Sequence, residues 1–415
     1  MIKKMSILGV CTIVALVTVT ACSDDGNTIQ ITKHELQPLV KINLSTEQQI
    51  FVNKTNDFAF NLASTIEGQE VGNMNVSPIG TAYILGMLLN GANGNSQSQI
   101  ANAIGFENTN TGEVNVYFQK LSQGATDVDK SVKIYVANSV ICDKAFGINT
   151  AFKDAVAYYY DAKVDNYDFA SDDVAGIINA WVKEKTNGII PELISEVDAN
   201  TQMYALNAIY FKGVWSKEFD SQSTKSETFM TEDGSATLVS MMQDERTILY
   251  YENETFSMIQ LPYGNGGWSM QILLPSEGNS VSDVLASLDG ARWKTALERM
   301  ENFNVDLILP RFEINNEIQM KESLQALGIK DIFDPYLADF SRLSDHSSYL
   351  TKFIQKIHVS VDEKGTETTT ATMALNGATA PGPNEKAVFH ADRPFIFLIT
   401  ENTTGTIYFI GTKKR

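Results

Sequence analysis

The stretch from Asp362 to Asn384, DEKGTETTTATMALNGATAPGPN, narrows the choice of fold more than any other part of the chain. Thr366, Thr368, Thr370 and Thr372 recur at period two, with Glu367 on the opposite phase. β-Branched residues at that spacing suit a strand with one buried face. From Thr368 to Asn384 no residue is charged, although 20% of the chain is. The segment nevertheless ends in Ala-Pro-Gly-Pro, which cannot continue a central strand. Strand chemistry followed by loop punctuation points to a segment with two states. A Thr/Ala-rich linker or an ordinary edge strand would carry the same residues.

A segment of that kind needs a sheet to join, so the size of the core matters. By length, 415 residues suggest two or three domains. Yet no composition break or internal repeat divides residues 46–415, and 43% hydrophobic content can fill a large core. Residues 45–415 therefore read as one large domain. A net charge of −18 argues against a nucleic-acid partner, and no cluster of Lys and Arg forms a polyanion site.

The N-terminus has a different character. Lys3 and Lys4 precede an uncharged, mostly apolar run, Met5–Ala21, too short and wrongly flanked for a stable transmembrane helix. It closes with Val19-Thr20-Ala21-Cys22, which resembles a bacterial lipoprotein signal. The resemblance implies removal of residues 1–21, acylation of Cys22 and anchoring in the outer membrane of a Gram-negative bacterium. Several acyl chains hold firmly where one binds marginally. A plain secretory peptide is the alternative. Ser23-Asp24-Asp25-Gly26 resembles a surface-export tag, which implies outward display, and residues 22–44 read as an acidic and polar tether. Once Cys11 is removed and Cys22 acylated, only Cys142 remains, so no intrachain disulfide is expected. Cys142 follows an apolar run and reads as a small core residue.

Ser45 with Gln48 forms a capping box, and Phe51, Phe58, Leu62 and Ile66 mark one face of the helix that follows. Ser77-Pro78 opens a second helix with little polar face, stopped at Gly91. Val132–Ile141 reads as a strand and Ile177–Asn187 as a helix ended by Gly188, with Trp181 on its apolar face. Met203–Phe211 is a near-continuous apolar run, as in a strand buried on both faces. Asn207 interrupts it and needs a partner. Further strands are expected at Thr247–Tyr251, Ser257–Leu261, Trp268–Leu274, Val305–Leu309 and Phe353–Val361. Two short helices are expected before Val305, and another at Glu317–Leu327. Gln355 shares a phase with Phe353, Ile357, Val359 and Val361. Pro394–Thr400 and Thr406–Gly411 form a final hairpin. Strands and helices without a regular βαβ rhythm make the fold class α+β.

Catalytic chemistry is sparse. None of His34, His346, His358 and His390 stands at metal-ligand spacing with another ligand, and no cofactor signature is present. There is no Gly-x-Ser-x-Gly elbow and no phosphate-binding glycine loop. His358 alternates with apolar neighbours and reads as an ordinary strand residue. The chain does not read as an enzyme.

Several stretches, in this order, resemble the serpin family: NVSPIGTAYILGMLLNGANGNSQSQI from Asn75, INAWVKEKTNGII from Ile178, ALNAIYFKGVW from Ala205, IQLPYGNGGWSMQILLP from Ile259, LILPRFEI from Leu307, LGIKDIFDPYLADFSRL from Leu327, VDEKGTETTTATM from Val361 and FHADRPFIFLITENTTGTIYFIG from Phe389. The resemblance implies about nine helices around three β-sheets, with an exposed reactive-centre loop over about residues 363–393. It also implies a monomeric suicide inhibitor of serine proteases. The protease cuts the loop and forms an acyl-enzyme, and the freed loop then inserts as a new central strand of the main sheet. The hinge would be Glu363, Gly365, Thr366, Glu367, Thr368, Thr369, Thr370, Ala371 and Thr372. Thr366, Thr368, Thr370, Thr372, Ala374 and Asn376 would face inward, all uncharged, since a buried unpaired charge is very costly. The sheet-opening region would contain Ser77, Asn207 and Gln355.

Two departures qualify the match. The distance from the hinge to Pro394 is about four residues longer than the family's. With the surplus after the cut, the scissile bond is Thr379–Ala380. With the surplus before it, the bond moves toward Pro383–Asn384, a poor protease site. Gly377, Ala378, Thr379 and Ala380 suit an elastase-like protease with a small primary-specificity pocket. Met373 or Leu375 would suit a chymotrypsin-like one, with a short insertion. Gly80 and Gln355 stand where the family has a serine and a histidine, which bears on the insertion barrier. The competing functions are a non-inhibitory serpin that binds or carries a ligand, and, from another class, a surface glycan-binding or hydrolytic lipoprotein.

Overall fold

The computed structural model describes residues 38–69, 72–197, 201–366 and 385–415. The described residues belong to one compact unit. Helix α1 (Thr46–Glu67) starts at the expected capping box: Ser45 Oγ accepts from Gln48 N, and Gln48 Oε1 accepts from Ser45 N. Strand β1 (Met74–Val76) leads into α2 (Pro78–Gly91), whose N-cap Ser77 accepts from Gly80 N. Every residue of α2 except Asn90 is buried. Helices α3 (Gly94–Ala103) and α4 (Thr111–Val128) pack on α2 and are followed by β2 (Lys133–Asp143). Next come α5 (Thr150–Tyr160), β3 (Lys163–Tyr167), α6 (Val174–Lys185) and β4 (Met203–Val214). Strands β5 (Lys225–Met230), β6 (Ala236–Glu252), β7 (Phe256–Tyr263) and β8 (Trp268–Pro275) form a meander. Helices α7 (Val281–Ala286) and α8 (Gly290–Glu298) separate it from β9 (Glu301–Pro310) and β10 (Phe312–Gln319). The chain ends with α9 (Lys321–Ala326), β11 (Lys352–Asp362), β12 (Gly365–Thr366), β13 (Lys386–His390), β14 (Phe395–Glu401) and β15 (Thr406–Lys413).

The main sheet has the order β10-β11-β12-β4-β2-β3. The two-residue β12 fills only the mouth between β11 and β4. Beyond it these two strands pair directly, in parallel, from Lys352↔Tyr204 to His358↔Tyr210. The second sheet runs β1-β15-β14-β8-β7-β6-β9-β13, with β5 on β6. The third sheet implied by the resemblance is continuous with the second. The 17-residue β6 pairs with β5 at its start, with β9 along Met241–Tyr250 and with β7 at its end. Helix α2 lies between the sheets and packs on β4, β2 and β15. Helix α6 covers the other face of the main sheet, where Trp181, Ile178 and Val182 meet Tyr204, Leu206, Ala208 and Ile354.

Three expectations need correction. The helix expected from Glu317 begins at Lys321, because Glu317, Ile318 and Gln319 pair with Lys356, Gln355 and Ile354. The strand expected at Thr247–Tyr251 is the end of the much longer β6. Helix α6 begins at Val174, three residues early, because Asp173 caps it by accepting from Gly176 N. The expected tether also shortens. Val40 N donates to Val128 O, Ile42 N to Thr403 Oγ1 and Lys120 Nζ to Asn43 O, so residues 38–44 lie on the body of the domain.

Candidate functional site: the β4–β11 seam and the hinge

Asparagine is uncommon inside an apolar strand, because its amide must find partners there. Two central strands each carry one. Asn138 on β2 is the register partner of Asn207 on β4, and Asn207 is the partner of Gln355 on β11. The three amides form a row across the sheet, all buried at 0–3% exposure. Asn207 Nδ2 donates to Asn138 Oδ1 at 2.8 Å, and Gln355 Nε2 donates to Asn207 Oδ1 at 2.8 Å. Gln355 also grips the start of α2. Its Nε2 reaches Ser77 O at 2.9 Å and Thr81 Oγ1 at 3.2 Å, while its Oε1 accepts from Ser77 N at 2.9 Å. Ser77 Oγ donates to Tyr408 O, which joins the cluster to β15.

The same geometry explains Gly80. A Cβ at that position would stand 2.4 Å from Asn207 Oδ1. The Asn207 amide thus occupies the space that a residue-80 side chain would need. It meets Gln355 there, so glycine at 80 fits this arrangement of amides.

At the mouth of the seam the residues expected to start the hinge, Gly365 and Thr366, pair with both strands. Gly365 pairs with Val214 and Thr366 with Gly213. Gly365 has φ +152°, and a Cβ there would stand 2.0 Å from Gly213 O. Thr366 is fully buried, its Oγ1 2.6 Å from the Tyr263 hydroxyl, and Tyr263 stacks on Trp215 with ring centroids 4.4 Å apart. Burial pushes the Tyr263 hydroxyl far above its ordinary pKa, so it stays a neutral hydrogen-bonding group. Trp215 N donates to Lys364 O at 2.8 Å, Trp215 Nε1 to Asp362 O at 2.9 Å, and Phe219 N to Glu363 O at 2.8 Å.

Glu363, just before β12, is buried. Its Oε1 accepts from Arg311 Nε at 2.8 Å, from Arg311 Nη2 at 2.5 Å and from Thr224 Oγ1 at 2.5 Å. Burial raises the carboxyl pKa, but the Arg311 guanidinium and the Thr224 hydroxyl outweigh it and hold Glu363 below its ordinary value.

The structure thus brings Ser77, Asn207 and Gln355 together at the seam, and Glu363, Gly365 and Thr366 at its mouth. Glu367, Thr368, Thr369, Thr370, Ala371, Thr372, Thr379, Ala380 and Cys22 lie outside the described residues. Sequence reasoning missed Asn138, Thr224, Arg311 and Tyr263. Asn138 was findable, since it interrupts an apolar strand as Asn207 does. Arg311 carries no such signal, because only folding brings it across 52 positions to Glu363. Among the described residues no group of three or more His, Cys, Asp and Glu could hold a metal ion. His358 lies on the outer face of β11 with Nδ1 against Asn315 Oδ1, and burial pushes the Cys142 thiol up to about 12. The arrangement is a latch between strands rather than a set of reacting groups.

Comparison with known proteins agrees with the geometry. A sequence model of the family described as Serpin (serine protease inhibitor) matches residues 53–413. Leukocyte elastase inhibitor A of Rattus norvegicus is 32% identical over 368 residues, covering 85% of this chain and 96% of the relative. The native-state crystal structure of Tengpin, a thermophilic serpin, superposes with a TM-score of 0.81 at 29% identity, covering 92% of this chain and 97% of that one. Thyroxine-binding globulin in complex with thyroxine superposes with a TM-score of 0.78 at 27% identity, covering 88% and 98%.

Proposed function

The chain belongs to the serpin family, and from that premise we propose that it is a suicide-substrate inhibitor of serine proteases with small primary-specificity pockets, held at the cell surface by acyl chains on Cys22. The protease serine attacks the Thr379 carbonyl. The Thr379–Ala380 bond breaks, the Ala380 amine leaves with a proton, and Thr379 stays esterified to the enzyme. Insertion of residues 367–379 between β4 and β11 then outruns hydrolysis of that ester.

The observation that carries this reading is the register of β12. The hinge runs antiparallel to both β4 and β11, with Thr366 opposite Gly213 and Val361. Six residues on from Thr366 is Thr372. Six back from Gly213 is Asn207, and six back from Val361 is Gln355. Extended in that register, Thr372 meets the two amides that insertion parts, and its hydroxyl can both donate and accept. The other phase matches as well. Glu367 falls opposite Lys212, which is itself opposite Lys133 on β2. Met373 falls opposite Leu206 and Ile354, and Leu375 opposite Tyr204, all in the apolar layer beneath α6 except the flanking Lys352. A segment that were merely a linker would have no reason to match both faces of the slot.

Incubation with pancreatic or neutrophil elastase, followed by mass spectrometry, tests the reading. The expected result is an SDS-stable adduct with the cut after Thr379. Clean cleavage without adduct would sink it. A second reading, a carrier serpin, draws on the likeness to thyroxine-binding globulin. It predicts cleavage with little gain in thermal stability.

A further inference from the structure

The outer face of the main sheet carries a cleft that the inhibitory reading does not use. Along the β10–β11 ladder the inner phase is buried, with Phe312, Ile314 and Ile318 on β10. The outer phase is polar: Asn315 stands opposite His358, and Glu317 opposite Lys356. Beside this floor runs the chain that leaves α6. Gly188 N donates to Lys183 O, Ile190 N to Thr186 Oγ1 and Leu193 N to Asn179 Oδ1, so the segment folds back on its own helix. Ile190 is buried, Ile189 is half-buried, and Pro191 and Glu192 are exposed. Residues 189–192 and the polar row line an open cleft of about 710 Å³, a size common among small-molecule sites.

The four outer side chains divide into two kinds. Asn315 and His358 serve each other: His358 Nδ1 lies against Asn315 Oδ1, and Asn315 Nδ2 donates to Glu313 Oε1 at 3.1 Å. Glu317 and Lys356 keep their capacity. Lys356 Nζ stands 3.6 Å from Glu317 Oε2, an ion pair beyond hydrogen-bond length. Among the described residues neither side chain has another partner, and Glu192 has none. We propose that this cleft binds a free α-amino acid with an apolar side chain. The carboxylate goes to Lys356 and the ammonium to Glu317, with Glu192 as a second acceptor. The side chain lies on Ile189, Ile190 and Pro191. An α-amino acid carries opposite charges on one carbon, and the cleft carries their counterparts on paired residues of adjacent strands. A peptide separates those charges, and a simple amine or carboxylic acid has only one of them. Each would leave one group of the pair unmatched. Binding here is independent of the inhibitory reading, so inhibition stands or falls on its own test.

The full chain is titrated with L-leucine, N-acetyl-leucine, leucine amide, leucyl-leucine and glycine, and binding is read by ligand-detected saturation-transfer NMR. Leucine should bind at least about tenfold more tightly than the acetylated or amidated form, because each lacks one charge-assisted hydrogen bond. Leucyl-leucine should also bind more weakly. Glycine should lose about tenfold or more, having no apolar side chain to bury. Lys356→Met should abolish the preference for leucine over leucine amide and keep the preference over N-acetyl-leucine. Glu317→Gln combined with Glu192→Gln should do the converse. Absence of transfer from leucine at millimolar concentration overturns the proposal. Equal binding of leucine and its blocked forms, or a selectivity that these substitutions leave unchanged, overturns it as well. The comparison among ligands on the parent protein decides the matter even if a variant fails to fold.

Discussion

Asn207 Oδ1 sits where a Cβ on residue 80 would go, and that contact makes the seam sensitive to single substitutions. Gly80→Ala should push the Asn207 amide off Gln355. Leaving one buried amide group unpaired costs about 1–3 kcal/mol, so the urea midpoint of the uncut protein should fall. Thr372 gives the complementary result. Thr372→Val should leave the uncut protein unchanged but lower the melting temperature of the cleaved form, because both amides then lack a hydroxyl. Thr372→Asp should give cleaved product in place of SDS-stable adduct, since its carboxylate would be buried unpaired. Glu363 adds a pH dependence. Its pKa is depressed in the folded protein, so its contribution is complete above the unfolded value of 4.5 and is lost as the pH falls through the lower folded value. Arg311→Ala should cost about 1–3 kcal/mol near neutrality. Acid titration of stability below pH 4.5 should then be weaker in Arg311→Ala than in the parent.

Among the elements, β12 is the shortest and the most consequential. Gly365→Ala sets a Cβ against the carbonyl of Gly213, which is backbone and cannot yield. The expected outcome is a hinge that fails to dock, with cleavage retained and adduct yield on SDS gels reduced at least about tenfold, as a barrier increase of about 1.4 kcal/mol suffices for that. Elements with a local signal were legible in the sequence. The Ser45–Gln48 box and the Ser77-Pro78 start each satisfy helix-end groups within four residues, and both stand as read. The start of β6 was not legible, because its first residues, Ala236 to Leu238, are exposed and their pattern serves pairing with β5 rather than burial. Glu317–Gln319 read as the first turn of the helix closed by Gly328. Pairing with β11, a long-range contact, decided otherwise. At the site, Asn207 announced itself as a polar interruption, whereas the reason for Gly80 lies in a neighbour 127 positions away and could only be noted as a departure.

For the molecule as a whole, β4 and β11 pair in parallel in the uncut chain, and the inhibitory reading has the cut loop enter between them. Proteolysis of the loop should therefore raise the melting temperature. An added strand that gains about 5 kcal/mol would move it by roughly 6 °C, since a domain of this size loses about 2.1 cal/mol/K per residue on melting and shifts by about 1.3 °C per kcal/mol. Differential scanning calorimetry before and after cleavage checks this, and an unchanged melting temperature would favour the carrier reading.

The parallel pairing of β4 with β11 has a spectroscopic corollary. A strand antiparallel to both neighbours turns one parallel junction into two antiparallel ones. Vibrational coupling between amide groups differs between the two arrangements, so the infrared amide band should gain antiparallel character on cleavage. The change would track the sheet's polarity directly, in unlabelled protein and in real time.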